Sequence, residues 1–291
     1  MPVLPPDLIE RARAFARGRA EGTAEVAAAR DAATVVLLRD RIDRAAGLEV
    51  YLLRRAPTMV FAAGMHVFPG GSVDVRDAGH ATAEFGWAGP APQRWADWLG
   101  CDEPLARALV CAAVRETFEE SGILLAGPSP DSVVGDTTDA GWEADRLALI
   151  DRSLSFAEML SRRALVLRAD LLRVWGHWIT PEFEPRRFDT RFFVAAVPDG
   201  QRTRDVGGEA DRVVWMPVAE AVARYEAGEL PMLPPTAVTL RELSAHTGLA
   251  SVLSADHAVV PLMPRAVVEG GDVRLVLDGP EGERPADEVL A

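Results

Sequence analysis

The sequence lacks two common residue types and has little of a third. It has no lysine and no asparagine, so all 31 basic residues are arginine, and it has two cysteines. Cys101 and Cys111 form no C-x-x-C pair and lie near no cluster of histidines, which argues against a metal-thiolate site or a redox pair. We expect both thiols to be buried apolar side chains.

Positive charge and long apolar runs are also scarce. The net charge is -13, and nucleic-acid binding depends largely on counterion release by basic groups, so we expect no nucleic-acid partner. No apolar stretch approaches the roughly 20 residues that span a bilayer, and the arginine-rich first 20 residues contain no apolar signal core. We therefore expect no membrane association and a cytoplasmic location.

What the chain does have is enough apolar sequence for a large core, since 48% of its 291 residues are hydrophobic. We expect one elaborated main domain with an extension at each end. The predicted units are an N-terminal helical extension (1–30), the main domain (31–250), an insertion (about 78–101), a helical segment (about 141–175) and a C-terminal extension (251–291).

Hydrophobic periodicity and turn residues predict alternating strands and helices. The first two strands, separated by a polar turn, are predicted to form a hairpin. The predicted strands are 33–38, 48–53, 191–197 and 212–216, and two short apolar runs in the tail (258–263 and 273–277) predict a second hairpin. The predicted helices are about 6–17, 104–121, 217–227 and 236–247, with two more between 142 and 173.

One predicted helix carries a cluster of acids. Pro104 fits its first turn, Asp102 or Glu103 its N-cap, and Gly122 its end. Because positions three and four apart share a helix face, Glu116, Glu119 and Glu120 fall within an arc of about 100°. We expect this face to point to solvent and the opposite face, with Cys111, Val114 and Phe118, to pack in the core.

Like charges at this spacing destabilise a helix by a few tenths of a kcal/mol per pair, so a compensating cation is one interpretation of the acidic face. Mg²⁺ prefers oxygen ligands and is usually held by a few carboxylates, waters and substrate phosphates. The alternative is an ordinary solvated acidic face, which is the common explanation for an arbitrary acidic triplet. The surrounding residues decide between the two.

Arg115 precedes the first of these acids, Gly122 follows the last, and the turn 68–71 (Phe-Pro-Gly-Gly) lies upstream. Together these residues resemble the Nudix box. Gly71 matches the first glycine of the box and Asp77 its first acid. The sequence departs from the pattern in two ways: Thr117 occupies an aliphatic position, and 37 residues (78–114) separate Asp77 from Arg115 where the box has seven.

The segments 52–57, 64–71, 178–181 and 186–193 are similar to the Nudix motif 19 type, whose mammalian members are peroxisomal coenzyme A diphosphatases. The resemblance covers roughly residues 31–240. It implies the Nudix fold, an α/β/α sandwich around a mixed sheet, with a helical insertion inside the box and extra helices. It also implies a pyrophosphohydrolase with Mg²⁺ or Mn²⁺ as cofactor.

The resemblance carries roles over to individual residues. It makes Glu116 and Glu120 metal ligands and Glu119 a ligand or base, while Arg115 orients a carboxylate by charge-assisted hydrogen bonds. The general base stays open between Glu116, Glu119 and a loop acid. Glu209 is the candidate for that loop acid, and an ordinary turn acid is the alternative.

The implied substrate is a small nucleoside diphosphate derivative. Coenzyme A or an acyl derivative is the first choice, ADP-ribose or a nucleoside diphosphate sugar the second, and a non-catalytic nucleotide sensor the third. Gly70 and Gly71 would let the loop turn sharply and approach closely. The candidates for binding phosphate are the arginines of the family-like segments, Arg54, Arg55, Arg186, Arg187 and Arg191, with a surface ion pair as the alternative for each. A homodimer is left open.

The insertion interrupts the box between its loop and its helix, so both of its ends must return to the site. We expect residues 78–101 to form a packed elaboration at the rim of the site. Trp87, Trp95 and Trp98 would anchor it by burial, because each ring is large enough to stabilise a short segment.

Overall fold

The computed structural model of the protein describes residues 6–41, 46–57, 62–74, 76–77, 85–204, 210–256, 259–269, 272–279 and 282–285. The helices are α1 Pro6–Glu21, α2 Pro92–Leu99, α3 Glu103–Ser121, α4 Ala140–Ile150, α5 Phe156–Arg162, α6 Val218–Glu226, α7 Pro234–Ser244 and α8 Leu249–Leu253. None of these described helices is both long enough and apolar enough to cross a membrane.

The strands occur mostly in groups between the helices along the chain. They are β1 Ala29–Asp40, β2 Leu48–Arg55, β3 His66–Val67, β4 Gly70–Ser72, β5 Gly86–Ala88, β6 Ala126–Gly127, β7 Val166–Arg168, β8 Leu172–Ile179, β9 Arg187–Ala196, β10 Ala210–Pro217, β11 Pro261–Leu262, β12 Arg265–Glu269, β13 Asp272–Gly279 and β14 Gly282–Pro285. The four strands predicted for the main domain are all present.

A mixed sheet organises the molecule. Its strand order is β10-β2-β1-β9-β8-β11, with β3 paired to β2 and β4 paired to β1. The predicted β1–β2 hairpin is antiparallel, as are β4 on β1 and β8 on β9, whereas β9 runs parallel to β1. The mixed α/β class predicted from the sequence is confirmed.

The sheet is covered on both faces because its central strand is apolar on both. Alternate residues of a strand point to opposite faces. In β1, Val35 and Leu37 belong to the core beneath α2, α3, α4 and α5. Val36 and Leu38 belong to the core on the other side, which includes residues from α6, α7, α8 and α1. The result is the layered sandwich that the sequence predicts.

The acid-bearing helix α3 begins and ends where the sequence predicts. The carboxylate of Asp102 accepts a hydrogen bond from the Leu105 amide at 2.9 Å, and Gly122 ends the helix in the left-handed conformation with φ 76°. The helix does not present an open acidic face to solvent, however. From 108 to 118 every residue except Glu116 is buried, because the helix lies between the sheet and α4.

Two predictions for the middle of the chain are wrong in part. The helical segment 141–175 contains α4 and α5 but also β7 and the start of β8, because β7 pairs with β5 and β6, and β8 pairs with β9. In the insertion, whose residues 78–84 lie outside the described part, Trp95 is buried at 1% exposure but Trp98 is 41% exposed. Trp98 instead packs edge-on against Trp95 and lies beside Arg94.

The C-terminal tail forms a hairpin, but its first strand is β12 and not the predicted run 258–263. Strand β12 pairs with β13, whereas Pro261 and Leu262 in the predicted first strand run parallel to β8. Helix α1 packs on this hairpin, and its Ala12 shares a core with Leu275 and Leu277. Helix α1 and the β12–β13 hairpin therefore form part of one layer on the sheet.

A single buried glutamine closes the loop that follows α3. Gln201 is 6% exposed, and its amide acts like a short strand edge. Its Oε1 accepts from the Leu124 amide at 2.8 Å, and its Nε2 donates to the carbonyls of Leu124 and Val134 at 2.9 and 2.7 Å. These bonds tie the segments on either side of β6 to the loop after β9.

We predict that Gln201→Ala lowers the free energy of unfolding by about 2–4 kcal/mol, because it leaves one buried amide, one buried carbonyl and one partly buried carbonyl without their partner. Urea denaturation of the purified variant measures the loss. The control is Arg202→Ala at the exposed neighbouring position, which we expect to change stability by less than about 0.5 kcal/mol. Equal stability of the two variants would show that Gln201 does not hold this loop.

Candidate active site

A buried arginine joins the two halves of the acid cluster. Nε and Nη2 of Arg115 donate to the carboxylate of Asp77 at 2.9 and 2.8 Å, and Nη2 also donates to the Ser72 carbonyl at 3.1 Å. Nη1 donates to Glu116 at 2.8 Å and to Glu119 at 3.1 Å. One guanidinium therefore contacts three carboxylates, although 37 residues separate Asp77 from Arg115 in the chain.

The two glycines of β4 bring the sheet against this helix. The Gly70 amide donates to Oε2 of Glu120 at 2.8 Å. A Cβ on Gly71 would lie 2.4 Å from Oε1 of Glu116, and one on Gly70 would lie 2.6 Å from the Ala33 carbonyl oxygen. The expected close approach is present. The expected sharp turn is not, because both residues lie in a strand and neither has a positive φ.

Burial changes the acidity of the cluster. Desolvation raises the pKa of Glu116 and of Glu119 above the ordinary range, and the Arg115 cation opposes this shift in both. The like charge of Glu119 raises the pKa of Glu116 further. For Arg115, burial alone would lower the pKa, but Glu116 and Asp77 more than compensate and raise it. The cluster holds more negative charge than one guanidinium neutralises.

The last turn of α3 is held by partners that the sequence does not reveal. Nη1 of Arg146, a residue that is 3% exposed, donates to the Glu119 carbonyl at 2.7 Å. The Arg204 amide donates to the Ser121 carbonyl at 3.0 Å. Glu143 accepts from both arginine side chains. Orphan carbonyls at a helix end need such donors, and a cation there also suits the helix dipole.

The carboxylates fit a hard divalent cation, but not as a closed cage. Among the described residues, no three acidic, histidine or cysteine side chains converge into a preformed metal site. Mg²⁺ does not require one, because it usually keeps several waters and binds one or two carboxylates together with substrate phosphates. Neighbouring desolvated carboxylates with raised pKa values, as Glu116 and Glu119 are, provide all-oxygen donors and uncompensated charge for such an ion.

The remaining predicted site residues include Glu209 and three arginines, and these arginines lie on two different strands. Arg54 and Arg55 are half-buried at the end of β2, which pairs with β3 just ahead of the glycine strand. Arg187 lies away from the acids at the start of β9. Its Nε donates to the Thr180 carbonyl at 3.0 Å and its Nη1 to the Ala27 carbonyl at 2.8 Å. Glu209 lies outside the described residues.

Both thiols are free. Cys111 is buried in the core beneath α3 as expected, whereas Cys101 is only partly buried. Burial raises the pKa of both thiols, and that of Cys111 to about 12. Neither side chain is therefore a thiolate at neutral pH, which agrees with the absence of thiol chemistry expected from their spacing.

Comparison with known proteins agrees with this geometry. The crystal structure of a Nudix hydrolase from Alicyclobacillus acidocaldarius is 31% identical, with a TM-score of 0.65 over 80% of this chain and 99% of that one. Putative nudix hydrolase 7 of Caenorhabditis elegans is 28% identical over 220 residues, or 74% of this chain and 60% of the relative. Human acyl-coenzyme A diphosphatase NUDT19 is 26% identical over 239 residues, or 72% of this chain and 64% of the relative.

The chain thus spans less than two thirds of the length of these two curated relatives. The family model of the NUDT19 Nudix domain matches residues 92–243, which is just over half of the 291 residues. The match includes all of α3 and the strands β8, β9 and β10. The chain belongs to the Nudix hydrolases, in the family of the NUDT19 Nudix domain.

Proposed function

We propose that the protein hydrolyses the diphosphate of a nucleoside diphosphate derivative with Mg²⁺ or Mn²⁺ as its cofactor. The observation that carries the proposal is the contact of Arg115 with Asp77, Glu116 and Glu119 beside the glycine strand. A buried, partly neutralised acid cluster is costly to assemble. Such a cluster next to backbone amides provides what metal-assisted phosphoryl transfer requires, a cation site with fixed geometry.

Each residue has a separate task in this proposal. Glu116, Glu119 and Glu120 hold the cation, and Arg115 fixes the orientation of Glu116 and Glu119. The cation, when bound, neutralises phosphate charge and lowers the pKa of the attacking water. Either Glu116 or Glu119 accepts the proton from that water, since both carboxylates belong to the cluster that holds the cation. Glu209 remains a further candidate base.

Substrate contacts come from the strands next to the acids. Gly70 and Gly71 let the strand backbone approach the carboxylates that hold the cation, and Arg54 and Arg55 bind the phosphate oxygens of the diphosphate. Arg187 has no substrate role in this proposal, because its guanidinium already donates to two main-chain carbonyls and to the sulfur of Met263. Its hydrogen bonds join β9 to the segment before β1.

Coenzyme A or an acyl derivative is the substrate that we favour, because a curated relative of similar sequence is named an acyl-coenzyme A diphosphatase. We predict that incubation with Mg²⁺ converts coenzyme A to phosphopantetheine and adenosine 3',5'-bisphosphate. Mass spectrometry of the products checks this against dephospho-coenzyme A, ADP-ribose and nucleoside diphosphate sugars. A clear preference for ADP-ribose would move the assignment to that substrate, and no hydrolysis of any diphosphate would leave a nucleotide-sensing domain.

We predict that Glu116→Gln and Glu120→Gln each lower turnover at least ~100-fold, since each removes a charge from the cation site. In Glu120→Gln the new amide oxygen would still accept from the Gly70 amide, so circular dichroism should show an intact fold. Glu103→Gln, the same change in the exposed first turn of α3, is the control and should retain full activity. Wild-type turnover by both site variants at limiting Mg²⁺ would rule out the metal assignment.

We predict that Gly71→Ala raises the Mg²⁺ concentration needed for half-maximal activity at least ~10-fold, because its methyl group would displace Glu116. Titration of activity with Mg²⁺ measures the shift. Gly135→Ala is the matched control, since Gly135 has open space around its Cβ position and no positive φ. An unchanged Mg²⁺ requirement in Gly71→Ala would mean that the Glu116 position is not set by the glycine strand.

A further inference from the structure

A cavity of about 130 Å³ lies at a second place on the same face of the sheet. It is bounded by the end of α2 and by the strands β8, β9 and β11. Its lining includes Leu99, Val174, His177, Arg191, Val259 and Pro261. None of these residues belongs to the acid cluster, and two of them carry buried polar groups without an assigned function.

Arg191 is the most informative of these residues. It is 4% exposed, and Nη1 makes all of its hydrogen bonds, to Asp31 at 3.3 Å and to the main chain and side chain of Asp189. Nε is buried without a partner among the described residues, and Nη2 takes part in none of these bonds. Unused donors on a buried guanidinium are costly, and a hydrogen-bond acceptor in the cavity would satisfy Nη2, since Nε is itself buried.

His177 is positioned next to it. The two residues are directly paired across β8 and β9, and Nε2 of His177 is hydrogen-bonded to the carboxylate of Asp189. One carboxylate thus holds both the imidazole and the guanidinium. These contacts fix the polar wall of the cavity before any ligand binds, which lowers the entropic cost of binding.

Charge selects the kind of acceptor. The single positive charge of Arg191 is matched by two carboxylates, Asp31 and Asp189, and Asp97 adds a third at the lining. An anionic ligand would therefore meet no net positive charge here. A neutral carbonyl accepts hydrogen bonds without adding charge, and the apolar side chains of Leu99, Val174, Val259 and Pro261 suit an aliphatic chain attached to it.

The strand order sets the distance between this cavity and the acid cluster. Gly71, under Glu116, pairs with Ala33, Ala33 pairs with Arg191, and Arg191 pairs with His177. Paired residues in a sheet point to the same face. With about 4.8 Å between neighbouring strands, the three steps from Gly71 to His177 span about 14 Å.

We propose that this cavity binds the neutral, carbonyl-bearing arm of the substrate, with Arg191 as the hydrogen-bond donor and His177 beside it. The proposal rests on the proposed diphosphate hydrolysis, because the arm is defined by its distance from the diphosphate. Binding in this cavity makes the site selective for a long flexible arm with amide carbonyls over a short sugar such as the second ribose of ADP-ribose. Arg191 is then a specificity residue.

The test compares two neighbouring substitutions. Val259→Trp fills the cavity, whereas Val260→Trp places the same ring at a position that is 59% exposed. The probe is pantetheine, which has two amide carbonyls and no phosphate, and its binding is measured by calorimetry or ligand-observed NMR. We expect wild-type protein and Val260→Trp to bind it equally, and Val259→Trp to bind at least ~10-fold more weakly.

Kinetics provide the second measurement. We expect Val259→Trp to raise KM for coenzyme A at least ~10-fold with little change in kcat, and to leave KM for ADP-ribose unchanged. Arg191→Lys, which keeps the charge for Asp31 and Asp189 but removes Nη2, should weaken pantetheine binding in the same direction. This second variant tests the cavity should Val259→Trp fail to fold.

Failure of the cavity proposal and failure of the proposed hydrolysis give different results in these experiments. Equal pantetheine binding by wild-type protein and both folded cavity variants, or no binding by any of them, would overturn the cavity proposal even if diphosphates are hydrolysed. Wild-type protein that hydrolyses no diphosphate but binds pantetheine in a Val259-dependent way would overturn the proposed function and leave the cavity as a binding site for the carbonyl-bearing arm.

Discussion

The buried guanidinium of Arg115 is the interaction on which the site depends. Its side chain is 11% exposed and that of Asp77 only 1%, so both charges are largely removed from water. The unfavourable free energy of this desolvation is offset only when every partner is in place. Removal of one partner of a buried pair lowers the free energy of unfolding by about 3–5 kcal/mol. A single side chain therefore holds the Ser72 carbonyl, the Asp77 carboxylate and the helix α3 in one arrangement.

The acid cluster would allow an acidic protein to bind the anionic substrate proposed for it. With a net charge of -13, the chain has no general attraction for phosphate. It instead concentrates desolvated carboxylates at Glu116 and Glu119, whose pKa values are raised by burial and, for Glu116, by the neighbouring like charge. In the proposed reaction a divalent cation would relieve this repulsion and also bind the diphosphate, so the repulsion between the acids would contribute to selection of the cation.

Local signals in the sequence predicted the parts of the fold that local chemistry determines. Asp102 and Gly122 mark the ends of α3 because capping and left-handed glycine are properties of one or two residues. The start of β8 was mistaken for helix, because its strand identity depends on pairing with β9. For the same reason the sequence did not reveal Gln201 or Arg146, whose partners are main-chain groups 77 and 27 positions away. Nothing near either residue indicates such a partner.

The strand order itself explains why acids and cavity share one face. Glycine at position 71 leaves room for Glu116 above the sheet, and the same row of paired residues continues through Ala33 to Arg191 and His177. A shift of one residue in the parallel β1–β9 register would turn Arg191 to the opposite face. That register is fixed by the apolar residues of both strands, since Val35 and Phe193 form one pair in the core. Packing of the core thereby sets the distance between the acid cluster and the group that would select the proposed substrate.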